Sequence, residues 1–343
     1  MHSIFRRRRR SRLKKKLRKF LKNKKKKEKK RSQITNKNRV ENVVISAGTS
    51  FSLFEDPENV IEVIQQLEIH KKISKKNKNI QINLSQITKI DIGAISCLLA
   101  KVNEMIKITK VKIWGTMPQN PHCKKVFDES GFLDYMTDLS GKKFSNQSDN
   151  FIFRVGSNKT RNERVGKTIE KAIKFITGKE EKYPPIYSIV QEICSNSVEW
   201  ANPPETRSKN WFLGINKSSE GNNTCITFTM TDIGFGILHT LNKKFGTIIV
   251  EAFLSDTEVL KRAFEKKYGS KTKEANRNRG LPLIKDRYER NFIKDLKVIT
   301  NNVLYDFEQS RQTRIIKKNF PGTFYFWNVD LNCINKWNLI REN

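Results

Sequence analysis

Residues 224–236 read TCITFTMTDIGFG, and the fold of the chain turns on how this stretch is taken. Ile226, Phe228 and Met230 alternate with Thr227, Thr229 and Thr231, which is the period-two pattern of a strand with one buried face. The alternation ends at Asp232. Gly234 and Gly236 follow, so the strand runs into a loop whose backbone can pass close to a planar group because no Cβ intervenes. A carboxylate at such a strand end can accept a hydrogen bond from an exocyclic amine. Taken alone, Asp-x-Gly after a strand is also the signature of a simple turn.

Working outward, WFLGI (211–215) reads as a second strand, joined to the first by NKSSEGNN (216–223) as a hairpin connection. Upstream, helical spacing covers Arg161 to Thr177. Pro184 and Pro185 open another helix that continues to about Ala201, proline being tolerated in a first helical turn. Downstream lie a Lys-rich segment (238–279), a helix from Leu281 to Asn291, a strand around LKVIT (296–300) and a closing strand TFYFWNVDL (323–331).

Two more segments carry candidate chemistry. In QEICSNSVEWA (191–201), Glu192 and Asn196 stand four apart and share a helix face. Asn offers Mg²⁺ a neutral oxygen, and Glu can orient or deprotonate an attacking water or hydroxyl. Such a pair by itself is an ordinary solvated face. NRNRGLPLIKD (276–286) is a loop opening directly into a helix, where free N–H groups and the helix dipole favour phosphate. Gly280 permits close approach there, and Arg277 and Arg279 add positive charge.

Helix Glu/Asn, strand-end DxGxG, a long loop and a Gly-Leu helix start, in this order, resemble the N, G1 and G2 boxes of the GHKL superfamily of gyrase, Hsp90, histidine kinases and MutL. The resemblance spans about Thr160 to Leu331. It implies a two-layer α/β sandwich that binds Mg-ATP, with Glu192 as general base, Asn196 as Mg²⁺ ligand and Asp232 reading the adenine amino group. Gly234, Gly236, Gly280, Leu281 and Arg279 would line the nucleotide, and Thr323 in PGTFYFW (321–327) would lie near Asp232. The segment between Asp232 and Gly280 would be a mobile lid. Its YGSKTKEANRNRG run resembles the lids of anti-sigma-factor kinases, which makes Ser270 and Lys271 phosphate contacts. The sequence departs from the family at Asn278, where the first G2 glycine is usual, and at Pro282, which replaces a frequent glycine, so binding is better supported than turnover.

From about Val40 to Met136 strands and helices alternate. A helix is expected from Pro57 toward Ile73, a buried strand at IQINL (80–84), a helix at IGAISCLLAKVNEMI (92–106) and a strand at KVKIWG (110–115). Together these form a βαβ crossover with parallel strands. Another helix is expected from Pro121 to Ser130. INLSQITKIDIGAISCLLA (82–100) resembles the strand, loop and helix start of STAS domains, the fold of anti-sigma-factor antagonists. Ile92 stands where those antagonists carry a phosphorylatable Ser after the residue matching Asp91. The implied role is therefore protein binding without the phosphoserine switch, Ser96 being a remote acceptor at most.

With 343 residues and 36% hydrophobic content the chain can bury two cores of ordinary domain size. The expected division is a basic tail (1–39), a STAS-like α/β domain (40–140), a linker (141–158) and the ATP-binding domain (159–335). The net charge of +33 is concentrated between Arg6 and Arg31, where Glu28 is the only acid. Leu13, Leu17, Phe20 and Leu21 form a narrow apolar stripe on this cationic segment, which fits nucleic acid or an anionic membrane surface, with the reading leaning to nucleic acid. Five scattered cysteines without CxxC spacing suggest neither a disulfide framework nor a zinc site, and point to a reducing, cytoplasmic setting. The four histidines, among them His70 in the Pro57 helix, include none in a dimerising hairpin ahead of the ATP domain, which disfavours two-component phosphotransfer. Three functions fit: an ATP-operated switch with slow hydrolysis, a Ser/Thr protein kinase of the anti-sigma type, or a non-enzymatic adaptor with a vestigial ATP site. Oligomerisation is compatible with each.

Overall fold

The structure, a computed structural model, describes residues 19, 21–27, 41–73, 78–109, 111–135, 151–156, 162–199, 211–221, 223–243, 253–265 and 280–342. It is mixed α/β, with two parallel sheets of three and two strands and one antiparallel sheet of five. In the first unit, strands β1 (Glu41–Ser46), β3 (Lys78–Asn83) and β5 (Lys112–Thr116) pair in parallel in the order β1-β3-β5. Two short strands, β2 (Ser50–Phe51) and β4 (Lys89–Ile90), pair beside them. The crossovers are α1 (Pro57–Ile73) and α2 (Ile92–Ile108), followed by α3 (Pro121–Glu129).

The helix starts follow from their caps. Asp91 accepts from Ala94 N at 2.7 Å and Asn120 from Cys123 N at 3.0 Å, each satisfying an orphan N–H of a first turn. Asp91 also accepts from Ser52 Oγ and Phe54 N, tying the α2 start to the loop before α1. Burial pushes its carboxyl above the usual range, against the pull of these hydrogen bonds. Between the helices, Lys101 is fully buried and paired with Glu68 and Glu104, and Lys71 reaches Glu104 at 2.7 Å. The buried ammonium is thus matched by carboxylates on both helices.

The second sheet holds β6 (Phe151–Gly156), β7 (Trp211–Glu220), β8 (Asn223–Asp232), β9 (Lys294–Asp306) and β10 (Arg314–Asp330) in the order β6-β7-β8-β10-β9, all antiparallel. Its helices are α4 (Asn162–Thr177), α5 (Pro184–Glu199), α6 (Asp256–Phe264), α7 (Gly280–Glu289) and α8 (Leu331–Glu342). Several expectations are corrected here. The hairpin connection expected at 216–223 is mostly strand: β7 runs to Glu220, and Gly221, with φ +59, makes the turn. Residues 151–156, placed in the linker, pair with β7 and belong to the sheet. Both late strands are longer than expected, and α8 was not expected at all.

The largest correction concerns β8. Its threonines were taken to mark the unburied face, yet Thr227, Thr229 and Thr231 are all buried. Ile226, Phe228 and Met230 face a core shared with α4, α5, α6, α7 and α8. The opposite face of the sheet, through Phe212, Ile299, Ile316, Phe320, Phe324 and Phe326, joins the core of the first unit. Helix α1 packs on β10 and helix α2 on β8 and β7. The seam carries polar contacts as well: Thr229 Oγ1 donates to Ser96 Oγ at 3.0 Å, Gln65 Nε2 to Asn319 O at 2.8 Å and Arg314 Nη2 to Phe54 O at 2.8 Å. Ser96, at most a remote phosphoryl acceptor on the sequence reading, is 3% exposed inside this seam.

Candidate functional site

Helix α5 puts Ile186, Ile189, Val190, Ile193 and Cys194 into the core, which leaves Glu192 and Asn196 half-buried along its edge. The start of α7 meets them there. A Cβ on Gly280 would lie 2.6 Å from Glu192 Oε2 and 3.1 Å from Asn196 Nδ2, so a larger residue would push these side-chain ends aside. The first-turn N–H groups of α7 and its dipole favour a negative group at this place, a phosphate or the Glu192 carboxylate itself. Leu281, next in the helix, packs against the core. The Glu192 and Asn196 pair on α5 thus meets Gly280, far along the chain.

The second cluster sits at the end of β8. Asp232 is 7% exposed and stands opposite both Trp211 and Thr323 in the strand register. Burial pushes its carboxyl up to about 7, although hydrogen bonds from Gly234 N and Thr323 oppose the shift. Among the described residues no Lys or Arg pairs with it. It is a buried acceptor at the end of an apolar face. Gly322 brings β10 against this point: its φ is +117, and a Cβ there would stand 2.0 Å from Asp232 O. Thr300 Oγ1 lies 3.4 Å from Thr323 Oγ1, so the row Asp232, Thr323, Thr300 is a strip of polar groups across three strands.

Both clusters lie on the helix-covered face of the sheet, where α5 packs against β8 and α7. Among the described residues no three His, Cys, Asp or Glu side chains form a metal-binding group. Asn196 and Glu192 offer the oxygen ligands that a Mg²⁺ shared with phosphates would use. Ser270, Lys271, Arg277, Asn278 and Arg279 lie outside the described residues, so their expected phosphate contacts do too.

The lid expectation needs revising. Residues 237–243 are helical, and α6 buries Val259, Leu260 and Phe264 in the core, with Ser255 capping it through Glu258 N. Of the expected lid, the described residues at Leu238, Leu241 and α6 are thus packed on the domain core. Sequence reading also missed Thr300, Asn301 and Gly322. Their signal was an NN pair inside a strand pattern and a PG step before a strand, both cues for unusual backbone.

No known protein family's profile matches the chain, and no curated protein is significantly similar to it. Among the described residues no helix is long and apolar enough to cross a membrane.

Proposed function

We propose that the second unit is a GHKL-type domain that binds Mg-ATP on the helix-covered face of its five-stranded sheet, and that the first unit is STAS-like. The observation that carries this reading is Asp232: a buried carboxylate with no cation beside it among the described residues, at a strand end, on the face where Glu192, Asn196 and the N-terminus of α7 meet. Such a carboxylate favours a base amine, because its burial is costly despite the bonds from Gly234 and Thr323 and a further donor relieves that cost. Asn196 would hold Mg²⁺, which neutralises phosphate charge when bound. Glu192 is placed to orient a water for slow hydrolysis.

The first unit, in this reading, is a wall of the nucleotide domain. Helices α1 and α2 are committed to the sheet, so a protein partner would dock elsewhere on that unit. The N-terminal tail would supply the polyanion contact: residues 21–27 are helical and exposed throughout, with Lys22 and Lys24 to Lys27 turned to solvent.

The test is Mg²⁺-dependent ATP binding by the full chain and by Asp232→Asn. Wild type is expected to bind, and the variant to bind at least about tenfold more weakly, the loss of one good hydrogen bond to a charged acceptor. Absence of binding to wild type at millimolar ATP would sink the proposal.

A further inference from the structure

The loop that carries Asp232 is held from below by a side chain that no motif names. Asn301 sits within β9 in the left-handed region, φ 52, a conformation asparagine tolerates better than most residues. Its Nδ2 donates to Phe235 O at 2.8 Å. Its Oδ1 accepts from Leu238 N at 3.1 Å and His239 N at 3.4 Å, and the adjacent Thr300 Oγ1 accepts from Ile237 N at 2.8 Å. These three N–H groups open the helix at 237–243, and a first turn has no intrahelical acceptors for them. The residue before this helix is Gly236, which has no side chain with which to cap it. The cap therefore comes from another strand, more than sixty residues away in sequence.

The same contact explains Gly236. Its φ is +84, and a Cβ there would fall 2.3 Å from Asn301 Oδ1 and 2.8 Å from Thr300 Oγ1. The second glycine of the DxGxG motif is thus required by the seat beneath the loop, whatever lies above it. At the other end of the loop, Asp232 is fixed by its pairing with Thr323 and by its own bond from Gly234 N at 3.0 Å.

We infer that Asn301, seconded by Thr300, is the positioning residue of the Asp232 site: it pins the Gly236 end of the loop and thereby sets where the base-reading carboxylate points. This rests on the ATP-binding reading above, and adds to it a residue from outside the three motifs. A site held within a fraction of an ångström binds without first ordering its own loop.

The variants separate the side chain from its backbone. Asn301→Gly keeps the left-handed conformation and removes all three hydrogen bonds. Asn301→Asp keeps the conformation and both acceptor contacts and puts a carboxylate oxygen in place of the donor to Phe235 O. Two measurements on the full chain decide. Amide hydrogen exchange at Leu238 and His239 is expected to be about tenfold faster or more in Asn301→Gly, and near wild type in Asn301→Asp. Mg-ATP binding is expected to weaken about tenfold in Asn301→Gly and less in Asn301→Asp, at unchanged far-UV circular dichroism. Unchanged exchange in Asn301→Gly overturns the clamp whether or not ATP binds. Faster exchange with wild-type ATP affinity overturns the positioning role. If wild type binds no ATP the nucleotide reading and the positioning role fail together, while the exchange result still reports on the clamp. Should Asn301→Gly not fold, Thr300→Val, which removes one acceptor and keeps the strand, carries the same comparison at Ile237.

Discussion

The two faces of the five-stranded sheet are built from the same strands and do different work. On one, Leu213, Ile215, Phe228, Met230, Tyr325 and Trp327 share a core with five helices, and the apolar surface ends in a polar strip at Asp232, Thr323 and Thr300. On the other, Phe212, Phe324 and Phe326 meet Phe51, Phe54 and the helices of the first unit, and a polar group stands in mid-strand at Thr229. A polar group at the end of a face is open to an incoming ligand. A polar group in the middle of one must find its partner inside the protein. In the proposed reading the first face binds a ligand, while the second holds the two units together.

If the second face is a core and not a loose contact, breaking it should unfold both units together. Phe324 is fully buried there, its ring 6.3 Å from Phe54 across the seam. Phe324→Ala is expected to cost about 3–5 kcal/mol, the range for deleting a buried aromatic ring. Urea unfolding followed by circular dichroism and by tryptophan fluorescence should give coincident transitions, both shifted. Two separated transitions would show that the units are independent domains that only touch.

This contrast also marks what the sequence could tell. The βαβ unit, the helices at Pro57, Ile92 and Pro184, and the antiparallel pair around Asp232 were legible, because period and caps are local signals. The convergence of Glu192, Asn196 and Gly280 was legible through motif order alone, as nothing in their spacing brings α5 to α7. What stayed hidden was the second burial of β8. Threonine in a strand serves a solvated face and a buried, hydrogen-bonded one equally well, since it carries a β-branched methyl for packing and a hydroxyl for a partner. The partner, Ser96, lies 133 residues away, beyond any periodicity. Asn301 was hidden for the same reason: its role is to cap a helix to which it does not belong.

The binding face should respond to pH. Burial holds the Asp232 carboxyl at about 7 in the folded protein, above its ordinary value near 4. Its contribution to stability is therefore fully present below about pH 4 and is lost as pH rises through about 7, with a slope of at most about 1.4 kcal/mol per pH unit. Nucleotide binding runs the other way, because a base amine is best accepted by the ionised form. Melting measured from pH 5 to 8 should show wild type losing stability relative to Asp232→Asn, while wild-type ATP affinity rises over the same range. Parallel melting curves for the two proteins would place the titration elsewhere and remove the argument that this carboxylate is waiting for a donor.

The smallest effect tests the seam at one hydrogen bond. Thr229→Val keeps the shape and removes the hydroxyl, leaving Ser96 Oγ without the donor it meets at 3.0 Å. Ser96→Ala removes the acceptor, leaving Thr229 only Gly214 O at 3.5 Å. Each single change should cost about 1–2 kcal/mol, because each strands a buried polar group. The double change should cost less than the sum, by on the order of 0.5–1 kcal/mol, since it removes the pair and strands nothing. Strict additivity in a double-mutant cycle would mean that the two hydroxyls do not speak to one another, and that packing alone joins the first unit to the back of the sheet. A non-additive result would show that Thr229 was placed for Ser96, in the strand that three residues later presents Asp232 to the opposite face.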